Sequence, residues 1–168
     1  LLASYGDEAV AGFGIASRIE SLFVIPLFAL SASIGPYTGQ NWGANLFHRA
    51  NQAMNVSFIF SLVWGGLAAM VLMLLAPSLI GWFDDAPGVT ETAGAYLSLV
   101  PISYGAWGVL MMASAIFNAL GKPIRSTAMS VARMFVVYIP LAIVLESYYG
   151  YEGIFVAACA SNMLMGVT

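Results

Sequence analysis

Charge is the scarcest commodity in this chain. Charged residues make up 8% of its 168 positions, where a soluble domain carries about a quarter. A chain of this length that is 61% hydrophobic, with mean hydropathy +0.89, cannot hide its apolar surface in one core, because surface-to-volume scaling limits what a small domain buries. Lipid as solvent removes both difficulties, and the sequence reads as a polytopic membrane protein. Cysteine is nearly absent too. The single Cys159 excludes an internal disulfide framework and a cysteine-based metal cluster. Catalytic signatures are missing: there is no HExxH, no serine nucleophile elbow and no pair of intramembrane aspartates. Gly-rich phosphate loops and basic nucleic-acid patches are absent as well. No basic leader precedes the first apolar stretch, so nothing there resembles a signal peptide. The chain ends inside an apolar run, "GIFVAACASNMLMGVT", and reads as a piece of a larger protein, cut at both ends.

What is present is a series of long uncharged runs. A spanning helix needs about 20 mostly apolar residues. No charge occurs from Asn51 to Ala76 or from Thr92 to Gly121. A third run, Pro123 to Leu145, is broken only by Arg125 and Arg133; a first lies between Ala9 and Gly39, and a last begins near Gly153. The expected fold is an all-α transmembrane bundle of about five spans. Its connections alternate in charge. "PYTGQNWGANLFHRAN" holds His48 and Arg49 and "NALGKPIRS" holds Lys122 and Arg125, while "GWFDDAPGVTE" holds Asp84, Asp85 and Glu91 and "ESYYGYEG" holds Glu146 and Glu152. The positive-inside rule places the connections near 40–50 and 119–126 in the cytoplasm.

Local punctuation supports the same layout. Asp85 before Pro87 reads as a capped helix start, and Gly121 before Pro123 as a helix end with a quick reversal. "GQNWGANLFHRANQA" is polar on one side and carries Trp42, Leu46 and Phe47 on the other, which predicts an interfacial amphipathic helix over about 40–50. Pro26, Pro101 and Pro140 fall within apolar spans, where proline kinks a helix.

The polar residues inside the spans are the candidates for function. Arg18 and Glu20 interrupt the first apolar run in "GIASRIES". If the span began only at Ser21, the 15 residues to Gly35 would rise about 22 Å, short of a hydrocarbon core of roughly 30 Å. If it begins near Ala9, both charges are embedded, at about 2.5–3.5 kcal/mol each unless they face protein or water. Residues two apart on a helix point to nearly opposite sides, so the pair cannot simply neutralise itself. Arg133, well inside its own span, is the expected partner of Glu20. An inert ion pair locking two helices and a carboxylate in a transport pathway both remain open on the sequence. Asn118, Gln40, Asn41 and Asn162 are weaker signals, since asparagine in a span is more often interhelical glue. Tyr104, Trp107, Met111, Met112 and Phe117 are core packing or, read the other way, an adaptable substrate wall.

"AVAGFGIASRIESLFVIPLFALSASIGPYTGQNWGAN" resembles the eighth-helix region of multidrug and toxic compound extrusion (MATE) transporters, and "YLSLVPISYGAWGVLMMASAIFNALGKP" resembles that family's tenth helix and following turn. The resemblance covers essentially the whole chain. It implies most of the second of two six-helix lobes: the end of helix seven at about 1–6, helix eight at 9–39, helix nine at 51–76, helix ten at 88–119, helix eleven at 123–145 and the start of helix twelve at 152–168. It implies antiport, in which amphipathic or cationic compounds leave in exchange for protons or sodium, with no cofactor. The partners would be the bilayer, the small-molecule cargo and the missing N-terminal lobe, in a bacterial inner membrane. Coupling acids of the family lie on helices one, seven and ten. Thr92–Gly121 contains no acid, which leaves a first-lobe residue or Glu20. The Arg18–Glu20 pair is similar to the bacterial DinF-like branch. A lipid-linked oligosaccharide flippase of the same superfamily ranks second, having only Arg18 and Arg133 to meet a pyrophosphate. A non-transporting membrane subunit is the rival from another class.

Overall fold

The computed structural model describes residues 2–167, and among them every regular element is helical. A 3₁₀ turn, Leu2–Tyr5, precedes α1 (Asp7–Gly43) and α2 (Phe47–Ile80). Next come α3 (Pro87–Leu99) and α4 (Tyr104–Ala119), joined by a 3₁₀ turn over Val100–Ser103. Then α5 (Pro123–Val131) and α6 (Ile139–Tyr149) flank a π-helical segment, Ala132–Tyr138, and α7 (Tyr151–Val167) closes the described chain. Four helical stretches are long and apolar enough to cross a membrane: α1, α2, α3–α4 taken as one and α5–α6 taken as one. The all-α bundle read from the sequence is the fold observed.

One expected element is not separate. α1 runs on to Gly43 and α2 starts at Phe47, so the segment read as an interfacial helix over 40–50 is two helix ends and a tight turn. Asn45 makes that reversal in the left-handed region at φ 60°, which asparagine tolerates better than most residues. The Leu46 N–H closes the turn on the Asn41 carbonyl at 2.8 Å. Trp42 and Phe47 meet edge to face across it, ring centroids 4.8 Å apart. The start of α3 also differs from expectation. Ala86, not Asp85, is the N-cap residue and Pro87 the first helical one; Asp84 Oδ1 accepts from the Ala86 N–H at 2.9 Å.

Small residues let the helices pack closely, as membrane interfaces favour. A Cβ on Gly65 of α2 would overlap the backbone of Gly105 in α4, and one on Gly108 would lie 2.9 Å from Ser61 Cβ. These contacts run antiparallel. Gly12 lies against Val89 and Ala93, Gly35 against Ala115 and Gly39 against Ala119, so α1 runs parallel to α3–α4. α7 lies alongside in the same sense, Gly166 against Ala106. The core between them collects Ala16, Ile19, Leu72, Ala93, Leu97 and Tyr104. Large apolar side chains point outward instead: Leu74 is 73% exposed and Val136 69%. Exposed apolar surface of this extent marks contact with lipid or with another protein surface.

Two prolines coincide with changes of helix type. Pro101 has no N–H for the Leu97 carbonyl, and the chain tightens to 3₁₀ there. Pro140 likewise leaves the Val136 carbonyl without its usual donor, and the turns before it widen, with the Ile139 N–H bonding the Met134 carbonyl. Pro26 and Pro36, in contrast, sit inside an α1 that continues through both.

Candidate functional site

Glu20 sits about 20 Å along α1 from Asp7. It is half-buried, and its Oε2 accepts a hydrogen bond from the Tyr96 hydroxyl of α3 at 2.8 Å. Tyr96 is aimed there by its neighbours: its ring lies edge to face between Phe13, at 5.4 Å, and Phe155, at 5.1 Å. The buried Tyr104 hydroxyl is within electrostatic reach of the same carboxylate but makes no hydrogen bond of good geometry. Two phenols of α3–α4 thus face one carboxylate of α1.

Arg133 is not Glu20's ion-pair partner. Its Nη1 donates to Asn162 Oδ1 of α7 at 2.9 Å, and among the described residues no ion pair joins it to Glu20. Asn162 Nδ2 donates in turn to Ser103 Oγ at 3.0 Å, and the Ser103 hydroxyl donates to the Val100 carbonyl at 2.8 Å. One polar chain therefore ties the π segment to α7 and to the break between α3 and α4.

Both charges line a single chamber of about 310 Å³, together with Phe28, Tyr96, Trp107 and Asn162. A second chamber of about 300 Å³ lies further along α1 and is lined by Ser31, Met111, Ser114, Asn118 and Ser130. Trp107 and Arg133 line both. Ser114 and Ser126 are hydrogen-bonded to each other beside the second chamber.

The remaining sequence candidates divide by helix face. Arg18 is exposed and lines neither chamber. Tyr104 and Met112 are 1% and 0% exposed, packed in the core and not on a cargo wall. Phe117 lines a separate groove with Arg125, whose guanidinium carbon lies 5.9 Å from its ring centroid. Trp107, Met111 and Asn118 do face the chambers. Tyr96, Ser103 and Ser31 were missed by the sequence reading. The available signal was chemical: a phenol or carboxylate inside an apolar span must find a polar partner. Among the described residues no group of three or more His, Cys, Asp or Glu could hold a metal ion.

Irregular helix segments beside polar side chains within the spans are a feature of many transporters. The family model described as MatE matches residues 1–144. The chain belongs to the MatE family. Its relatives in this family are membrane transporters, not enzymes. It is 34% identical over 99% of its length to the FAD transporter of Shewanella oneidensis, and 26% identical over 96% to the probable multidrug resistance protein YoeA of Bacillus subtilis. It superposes on the Vibrio cholerae MATE transporter VcmN in the bent form with a TM-score of 0.93 and 31% identity, covering 99% of this chain. The MatE chain spans about 37% of the length of the Shewanella relative, 36% of YoeA and 38% of VcmN.

Proposed function

We propose that this MatE chain forms most of the second lobe of a secondary transporter that exports amphipathic compounds in exchange for protons or sodium. The observation that carries the reading is Glu20: a carboxylate within an apolar span, lining a chamber of about 310 Å³, held by a phenol and neutralised by neither nearby arginine. Such a group is expensive in a merely structural helix and useful in an ion pathway. In the proposed cycle Glu20 takes up a proton or sodium ion when the chamber is open outward. Losing its net charge favours closure of the lobes, since a ligand shifts such an equilibrium only through its differential affinity for the two states. Tyr96 orients the carboxylate and supplies a hydrogen bond while it is ionised.

The same reading places the turns near 40–50 and 119–126 on the cytoplasmic side of a bacterial inner membrane, from their Lys and Arg content. An opposing first lobe would complete the cavity. Relatives are named for multidrug resistance and for FAD transport, so the charge of the cargo has to be read from the chambers themselves.

The test is dye efflux from cells expressing a complete two-lobed transporter that carries this sequence as its second lobe. Wild type is compared with Glu20→Gln, with and without a protonophore and in sodium-free medium. Efflux lost in the variant at equal membrane abundance supports the proposal. Unchanged, ion-dependent efflux would reduce Glu20 to a structural group.

A further inference from the structure

We infer that Arg133 is an anion-reading group for the cargo: a compound bearing a flat aromatic ring and an oxyanion binds with its ring on Trp107 and its anion on the Arg133 guanidinium. The inference rests on the chambers being the cargo cavity, as proposed above.

The first argument is position. Arg133 and Trp107 are the side chains shared by the two chambers, so a molecule that extends from one into the other passes both. Among the residues lining the two, Arg133 is the one cation.

The second argument is how the guanidinium is held. The Ser103 hydroxyl gives its proton to the Val100 carbonyl, so its oxygen can only accept from Asn162. That fixes the amide: its NH₂ faces Ser103 and its oxygen faces Arg133. A neutral acceptor therefore orients the guanidinium without cancelling its charge. Of the five N–H donors in the guanidinium fork, one is spent on Asn162. The fork is suited to two-pronged recognition of a phosphate, sulfonate or carboxylate.

The third argument is electrostatic. The nearest acid in the chamber, Glu20, is engaged by Tyr96 and is not ion-paired with Arg133. Arg133 is therefore left without a directly paired carboxylate, and an anionic cargo group takes that place. Next to it, Trp107 meets Phe28 edge to face at 5.8 Å and lines both chambers, so an aromatic ring in the cavity lies within reach of the indole.

Equilibrium binding to the purified complete transporter, followed by flavin fluorescence, tests this with two probes that share one ring. Riboflavin 5′-phosphate carries the anion and riboflavin does not. Wild type is expected to bind the phosphate form roughly tenfold more tightly, the size of a charge-assisted hydrogen bond. Arg133→Gln should bring the two probes within about twofold, and Arg133→Lys, which keeps the charge but loses the fork, should restore part of the preference. Riboflavin affinity makes no demand on the guanidinium and reports that the chamber is folded. Equal wild-type affinities, or discrimination that survives Arg133→Gln, would overturn the inference. Equal affinities together with Arg133-dependent binding of phosphatidylglycerol over phosphatidylcholine would also overturn it, and assign the guanidinium to a lipid headgroup. If the phosphate preference holds but no gradient drives efflux of any dye, the transport proposal fails and the anion site stands.

Discussion

The Tyr96 hydroxyl and the Glu20 carboxylate, 76 residues apart in sequence, meet at 2.8 Å between α3 and α1. This bond answers how a carboxylate is kept inside an apolar bundle without an ion pair. It also makes the parallel packing of α1 and α3, set by Gly12 against Val89 and Ala93, a condition for the site. If the two helices slid by one turn, the phenol would miss the carboxylate by about 5 Å.

Tyr96→Phe keeps the ring between Phe13 and Phe155 and removes only the donor. Efflux should fall and its pH profile should shift, with a stability loss of about 1 kcal/mol, the scale of one hydrogen bond. Efflux measured across pH 6 to 8 (roughly the range of bacterial growth) in the complete transporter checks this. An unchanged profile would show that the phenol does not tune the carboxylate.

Arg18→Gln should leave efflux within about twofold of wild type. The side chain lines neither chamber, so its loss leaves the proposed ion and cargo sites intact. Side-by-side comparison with Glu20→Gln at matched abundance separates the two neighbours, which the sequence alone could not do.

Asn162→Ala and Ser103→Ala act on one polar chain, so their effects should not add. A double-mutant cycle read by thermal unfolding in detergent should give a coupling of about 0.5–1.5 kcal/mol. Strict additivity would mean that the bond from Asn162 Nδ2 to Ser103 Oγ contributes nothing.

Gly65→Leu should be among the most damaging single changes in the lobe. Even a Cβ at this position would overlap the Gly105 backbone, and backbone cannot step aside as a flexible side chain can. A loss of 2 kcal/mol or more, on the order of other overpacked cores, should appear as a poor monodisperse peak in size-exclusion chromatography. Gly66→Leu, whose Cβ would meet nothing within 4 Å, is the control and should fold normally.

Residue type and order were enough to establish an apolar all-α bundle and to single out Glu20. Those properties are local: an uncharged run of sufficient length has one stable solution in a bilayer, and Glu20 is conspicuous because so little else is charged. The helix breaks were partly legible for the same reason, since Pro101 and Pro140 remove specific N–H groups. Pro26, inside a continuous α1, shows that the tertiary setting can absorb the same defect.

Only the tertiary structure decided which polar groups meet. Charge pairing alone favoured Arg133 for Glu20, yet helix register brought a phenol to the acid and an amide to the base. It also divided one aromatic and methionine run between two faces, burying Tyr104 and Met112 while turning Trp107 and Met111 to the chambers. The physical reason is that a partner is chosen by the rotation and offset of packed helices. Those are set by where small residues such as Gly65 and Gly105 allow backbones to touch, and not by the order of residues along any single span.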